Sequence, residues 1–269
     1  MVRRSSDTLK FSTRPCAAND LQSLPLDHGQ VVIWWLGQAG FVVRAGSHTF
    51  LIDPYLSDSL AQKYKGRRFP HQRMMPIPVD PAALKDIDWV FCTHLHTDHM
   101  DPVTIRSLAR NPECRFFVPC AALDQAVANQ GLGMKKTTCV NSGLTLNLDT
   151  DVSLHPIPAA HEQLVVNSRG EHHFLGYIFK LGNIQIYHSG DCVPYDGLEM
   201  HLQSMKPDIA FLPVNGRDDY RLSQNIAGNF HFEEAVQLCL DCGIPYLIPH
   251  HFGMFDFNTI DPLELRSKM

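Results

Sequence analysis

The heptapeptide Thr93-His94-Leu95-His96-Thr97-Asp98-His99 places four metal-competent side chains within six positions. In an extended segment His94 and His96 point the same way, and a tight turn behind them brings Asp98 and His99 in from a second direction. Such a loop can wrap one cation or feed two adjacent ones. The alternative is a group of surface histidines without a metal, which four ligands packed so tightly at a strand terminus disfavour. The chain carries 15 histidines, a large supply of neutral imidazole. Most of the others (His28, His48, His71, His155, His201 and His231) lack clustered partners and read as surface or satisfied core positions, and His172-His173 reads as exposed.

The loop needs a strand before it and a helix after it, and both are legible. IDWVFCTH is a short apolar run, and VTIRSLARN beyond the loop carries a helical pattern. Upstream, Val31 to Tyr55 alternates β-rich runs with Gly37, Gly40 and Gly46, as an antiparallel meander does. Leu56 to Pro81 loses periodicity and collects Lys63, Lys65, Arg67, Arg68 and Arg73 among prolines. It reads as a loop or short-helix insertion, either a solvated basic surface or an anion-binding lid. Downstream, CRFFVP is strand-like, AALDQAVANQ helical, and LTLNLDTDVSLHPIP a β-hairpin. HFLGYIFKL and IQIYHSG pair across Gly182-Asn183, FLPVNG ends a strand, and FEEAVQLCLDCG is a helix stopped by Gly243. IPYLIPHHFG is a last strand that delivers His250 and His251. Strands and helices mixed in this way specify the α/β class.

A length of 269 residues, 44% hydrophobic and 19% charged, suits one layered domain over 30–269 behind an N-terminal arm, 1–29. A net charge of -5 gives no broad footprint for nucleic acid or an anionic membrane, so any anion recognition is local. Neither a signal-peptide core nor a membrane-length apolar run is visible, which leads to the expectation of a cytoplasmic protein. Eight scattered cysteines are then expected as reduced thiols, with Cys239 and Cys242 buried on a helix.

The HxHxDH loop after an apolar strand resembles the defining motif of the metallo-β-lactamase superfamily. Further matches follow in order: His161 in Pro158-Ala159-Ala160-His161, Asp191 in Tyr187-His188-Ser189-Gly190-Asp191, and Ile248-Pro249-His250-His251. The resemblance implies a four-layer αββα sandwich, two mixed β-sheets flanked by helices. It implies one metal on His94, His96 and His161, a second on Asp98, His99 and His251, and Asp191 between them. The spacing usual in the superfamily selects His251 over His250, which becomes a supporting or substrate-facing residue. His188 either orients Asp191 or simply packs. One or two divalent ions are expected, manganese or zinc, with iron also suited to such ligands.

Trp34-Trp35-Leu36-Gly37, Tyr187 to Asp191 and the His250-His251 pair resemble, more narrowly, the L-ascorbate-6-phosphate lactonase branch. That likeness implies opening of a sugar-phosphate lactone, with Asp98 and Asp191 as catalytic carboxylates. A phosphorylated substrate requires an anion clamp, for which Arg217 and Arg221 in Asn215 to Arg221 are candidates; a salt-bridged surface loop is the equal alternative. The expected partner is therefore a small anionic molecule, with self-association into a homo-oligomer left open. A metal-dependent phosphodiesterase and a non-catalytic metal-binding regulator are the competing readings.

Overall fold

Alternation along the strands decides the layering. Phe41 and Val43 face one side of their strand and Val42 the other; Phe50 and Ile52 oppose Leu51, and Tyr177 and Phe179 oppose Ile178. Strands apolar on both faces must be covered on both, so two sheets stack and each takes helices on its outer side. The computed structural model describes residues 25–27 and 29–268, so the arm expected over 1–29 lies largely outside the described residues.

The first sheet has the order β1 (Val31–Gly37), β2 (Gly40–Ala45), β3 (His48–Ile52), β4 (Trp89–Phe91), β5 (Arg115–Pro119) and β6 (Thr137–Val140). The second runs β12 (Tyr246–His250), β11 (Ile209–Pro213), β10 (Ile184–His188), β9 (Leu175–Leu181), β8 (Val152–Pro158) and β7 (Leu146–Asp149). Both are mixed: β1 to β3 are antiparallel and β3 to β6 parallel, while β12 to β10 are parallel and β10 to β7 antiparallel. Their shared core is aromatic, built on Phe41, Phe50, Phe91, Phe179 and Phe211. Two helices, α2 (Pro102–Leu108) and α3 (Leu123–Gln130), bury Ile105, Leu108 and Ala126 against the first sheet's outer face. On the second sheet's outer face, α4 (Leu198–Met205) and α5 (Phe232–Cys242) bury Leu198, Leu202, Ala235 and Leu238. The expected αββα layering is the observed one.

The 56–81 segment contains one short helix, α1 (Ser59–Lys63), in an otherwise irregular path. β6 and α4 were not legible beforehand: β6 is a four-residue edge strand, too short for a periodic signal. One expectation is corrected. Cys120 and Cys139 form a disulfide rather than staying reduced, because parallel pairing sets Val118 beside Cys139 and brings the Cα atoms of the two cysteines to 4.5 Å. The five other described cysteines, Cys239 and Cys242 among them, are buried thiols. His172 and His173 are half-buried, not exposed. No helix among the described residues is long and apolar enough to cross a membrane.

Candidate metal centre

The ends of several strands meet at one edge of the sandwich, and each delivers a polar residue there. After β4, the chain turns so that His96 O accepts from His99 N at 3.0 Å and Met100 N at 2.8 Å. Asp101 then caps α2, accepting from Val103 N and Thr104 N with Pro102 at the first helical position, so the loop is locked at both ends. After β10, Gly190 adopts φ +62°, where a Cβ would lie 2.8 Å from the Thr93 side chain; only glycine lets Asp191 come this close to the histidine loop. After β12, His251 itself turns left-handed at φ 62° and donates its N–H to Gln38 O at 2.9 Å. Gln38 (φ 51°) and Asp53 (φ 43°) share that conformation, so three non-glycine residues hold strained backbones around one point.

All seven candidate ligands converge. Ligating atoms of His94, His96, His161 and Asp191 lie within 4.8 Å of one another, and those of Asp98, His99 and His251 form a second such group. Asp191 spans the two: its Oδ1 stands 3.2 Å from Nε2 of both His99 and His251, and its Oδ2 stands 3.6 Å from His161 Nε2. Phe174 packs against the rings of His94, His96 and His161 and fixes their tilt.

The electrostatics suit cations. Burial lowers the pKa of His94 well below the ordinary value, lowers that of His96, and brings His161 down to about 4, so these imidazoles are neutral and have lone pairs to offer. Burial opposes charge on His99 as well, but Asp191, Asp53 and Asp98 together outweigh it and raise its pKa. In the reverse sense, burial would raise the carboxyl groups of Asp98 and Asp191, yet the surrounding histidines hold both below the usual carboxylate range. His94 Nε2, His99 Nε2, His161 Nδ1 and Asp191 Oδ1 are buried without a hydrogen-bond partner. Buried polar atoms are rarely left in that state, and an imidazole and carboxylate set with its donor atoms free fits divalent transition metals.

Residues that sequence reasoning missed hold this arrangement in place. Asp53 is wholly buried and accepts three hydrogen bonds: from Thr93 N at 2.7 Å, Thr93 Oγ1 at 2.6 Å and His99 Nδ1 at 2.6 Å. Gln38 Nε2 donates to Asp98 Oδ2 at 2.8 Å. Neither has a local sequence signal beyond standing just past a β-strand end. His188 does both things expected of it: it packs in the core, and its ring accepts from Gly190 N at 3.0 Å while reaching Ala39 O at 2.9 Å, so it fixes the turn that presents Asp191.

The three residues assigned to substrate are elsewhere. Arg217 spends both terminal nitrogens on Glu234 at 2.6 Å. Arg221 is held by Asp218 at 2.6 Å and by Asn215 O at 2.9 Å, and neither arginine lines the cleft over the metal-ligand cluster. The salt-bridged loop is therefore what they form. His250 is fully buried, stacked 4.8 Å from His188 and edge-on to Phe41, because strand alternation points it inward while the left-handed turn at His251 points that ring into the site. The cleft, about 940 Å³, is instead walled by part of the basic segment, Lys63 to His71.

Comparison with known proteins places the chain among metallo-hydrolase relatives of the same fold. The Beta-lactamase superfamily domain matches residues 48–252. A UPF0173 metal-dependent hydrolase of Caldivirga maquilingensis is 26% identical over 234 residues, covering 87% of each chain. Among solved structures, isothiocyanate hydrolase from Delia radicum gut bacteria superposes with TM-score 0.69 at 19% identity, over 88% of this chain and 91% of that one. A metallo hydrolase from Ignicoccus hospitalis gives TM-score 0.61 at 19% identity, over 89% and 90%. At such identity these two show likeness of fold alone. With the family match spanning residues 48–252, most of its length, the chain belongs to the beta-lactamase superfamily.

Proposed function

We propose that the chain is a metal-dependent hydrolase that opens a small anionic lactone or carboxylic ester, a phosphorylated sugar lactone being the leading candidate. The observation that carries this reading is the single carboxylate, Asp191, set between two groups of ligands with unpartnered donor atoms. The relatives named as metal-dependent hydrolases support the reaction class. His94, His96 and His161 would hold one cation and Asp98, His99 and His251 the other. Cations held there, manganese, zinc or iron, would acidify water and polarise the acyl oxygen.

The chain's own residues do the rest. Asp53 directs the His99 ring through its Nδ1, leaving Nε2 toward the site. Gln38 orients Asp98, whose side chain retains 18% exposure toward the cleft. Where a single cation is held, Asp98 is free to take a proton from the attacking water and return it to the leaving alkoxide, which in a lactone stays tethered and needs little assistance.

Protein purified without added metal should carry a divalent ion by elemental analysis, and should open lactones in a reaction stopped by chelator and restored by manganese or zinc. Asp191→Ala should lower metal stoichiometry and abolish turnover with the fold retained. Cleavage of phosphodiesters without lactone opening would establish the phosphodiesterase reading instead. Absence of turnover by fully metallated protein on either class would favour the regulator.

A further inference from the structure

One wall of the cleft is built by a segment that supplies none of the candidate ligands. After α1 ends at Lys63, the chain turns at Gly66 (φ +74°) and runs through Phe69 to His71. An aromatic spine seats this loop: Tyr64 stacks on His71 at 4.2 Å, and Phe257 meets His71 at 4.7 Å and Phe69 at 5.0 Å. Burial, with Lys63 nearby, lowers the pKa of His71, so its ring serves as neutral packing. The backbone is thus anchored, and the long cationic side chains are left on the water side of the cleft.

Those cations differ from the arginines of the 217–221 loop in one respect. Arg217 and Arg221 are neutralised by carboxylates, whereas Lys63, Arg67 and Arg68 form no ion pair among the described residues. The Lys63 ammonium lies 5.2 Å over the Tyr64 ring. Arg68 reaches across to the opposite wall, donating to Gln224 Oε1 at 2.6 Å and Tyr220 Oη at 2.9 Å, both neutral acceptors, so its position is fixed and its charge is not cancelled. Among the described residues, the only carboxylates lining the cleft are Asp98 and Asp191, and both belong to the ligand groups. A net negative protein thus gathers three uncompensated positive charges beside its candidate metal centre. A cleft of about 940 Å³ has room for a sugar-sized molecule between them and Asp191.

We propose that Lys63, Arg67 and Arg68 are the anion subsite of this cleft, holding a phosphomonoester group of the substrate while its scissile bond lies over Asp191. This rests on the hydrolase reading and names its substrate class. Guanidinium and ammonium groups offer charge-assisted donors to phosphate oxygens, and fixing one end of a small molecule supplies the orientation that hydrolysis at the other end requires.

The test compares a six-carbon sugar lactone with its 6-phosphate on metal-loaded wild type and on the Lys63→Gln/Arg67→Gln double variant, with metal content measured in both. The ratio of kcat/KM for the phosphorylated over the neutral lactone should fall roughly tenfold in the variant, and 0.5 M KCl should reduce the wild-type ratio (Debye length about 4 Å). An unchanged ratio at equal metal content overturns the assignment. Calorimetric binding of glucose 6-phosphate against glucose separates this proposal from the one beneath it. Wild type should prefer the phosphate and the variant should lose the preference, whether or not any lactone is opened. Loss of preference without turnover keeps the subsite and removes the lactone-opening reading; equal binding by both proteins removes the subsite.

Discussion

Replacing Asp53 by asparagine preserves the side chain's shape while removing a charge and one acceptor, at a position that touches no substrate. Wild-type Asp53 Oδ2 accepts from both His99 Nδ1 and Thr93 Oγ1, and Oδ1 accepts from Thr93 N. The asparagine oxygen must stay with Thr93 N, since a backbone N–H has no alternative tautomer, so the amide NH2 faces the other two groups. The Thr93 hydroxyl can adapt, having His94 Nδ1 at 3.0 Å. His99 cannot adapt without consequence. To accept at Nδ1 it must carry its proton on Nε2, the atom 3.2 Å from Asp191 Oδ1 and the one needed for a cation. Holding metal then costs about the net value of a buried charge-assisted hydrogen bond, ~1.5–3 kcal/mol, or roughly ten- to a hundredfold in affinity. Competition against a chromophoric chelator near pH 8, with far-UV circular dichroism as the fold control, measures this directly. Asp53→Asn protein binding its metals with wild-type affinity would refute the tautomer argument.

Gly190→Ala should lose about 2–4 kcal/mol in urea titration and bind metal more weakly, because its Cβ would meet the Thr93 side chain at 2.8 Å on a left-handed backbone; an unchanged midpoint would show that Thr93 yields freely. Burial would raise the carboxyl of Glu234, but hydrogen bonds from Arg217 outweigh it and hold the pKa below its ordinary 4.5. The pair therefore stabilises fully above about that value and is lost as pH falls through the lower folded one. Being partly exposed it contributes under ~1 kcal/mol, so Glu234→Gln should lower the melting temperature slightly at neutral pH and flatten its acid limb; parallel limbs in the two proteins would contradict this. Removing the disulfide with Cys120→Ser and Cys139→Ser opens a loop with sequence separation 19 and should cost about 3 kcal/mol, read as a shift in urea midpoint that reductant reproduces in wild type. A wild type insensitive to reductant would count against it.

Local sequence determined those parts of this protein whose partners lie close along the chain. His94, His96, Asp98 and His99 share one turn, and Asp101-Pro102 caps the helix behind it, so spacing alone predicts a metal loop between a β-strand and a helix. Alternation at Phe41-Val42-Val43 and its counterparts specifies strands covered on both faces. The HxHxDH resemblance supplied the remaining ligands in order, His251 rather than His250 among them, but the left-handed backbone that turns the His251 ring into the site is encoded by no periodicity. Asp53 meets His99 across 46 residues and Gln38 meets Asp98 across 60, contacts that exist only because two strand ends are stacked at one edge. The same holds for charge. Arg217 and Lys63 are equally cationic in the sequence, yet folding sets the first against Glu234 and leaves the second facing the cleft, because a pairing depends on which elements pack together and not on the residue's own type.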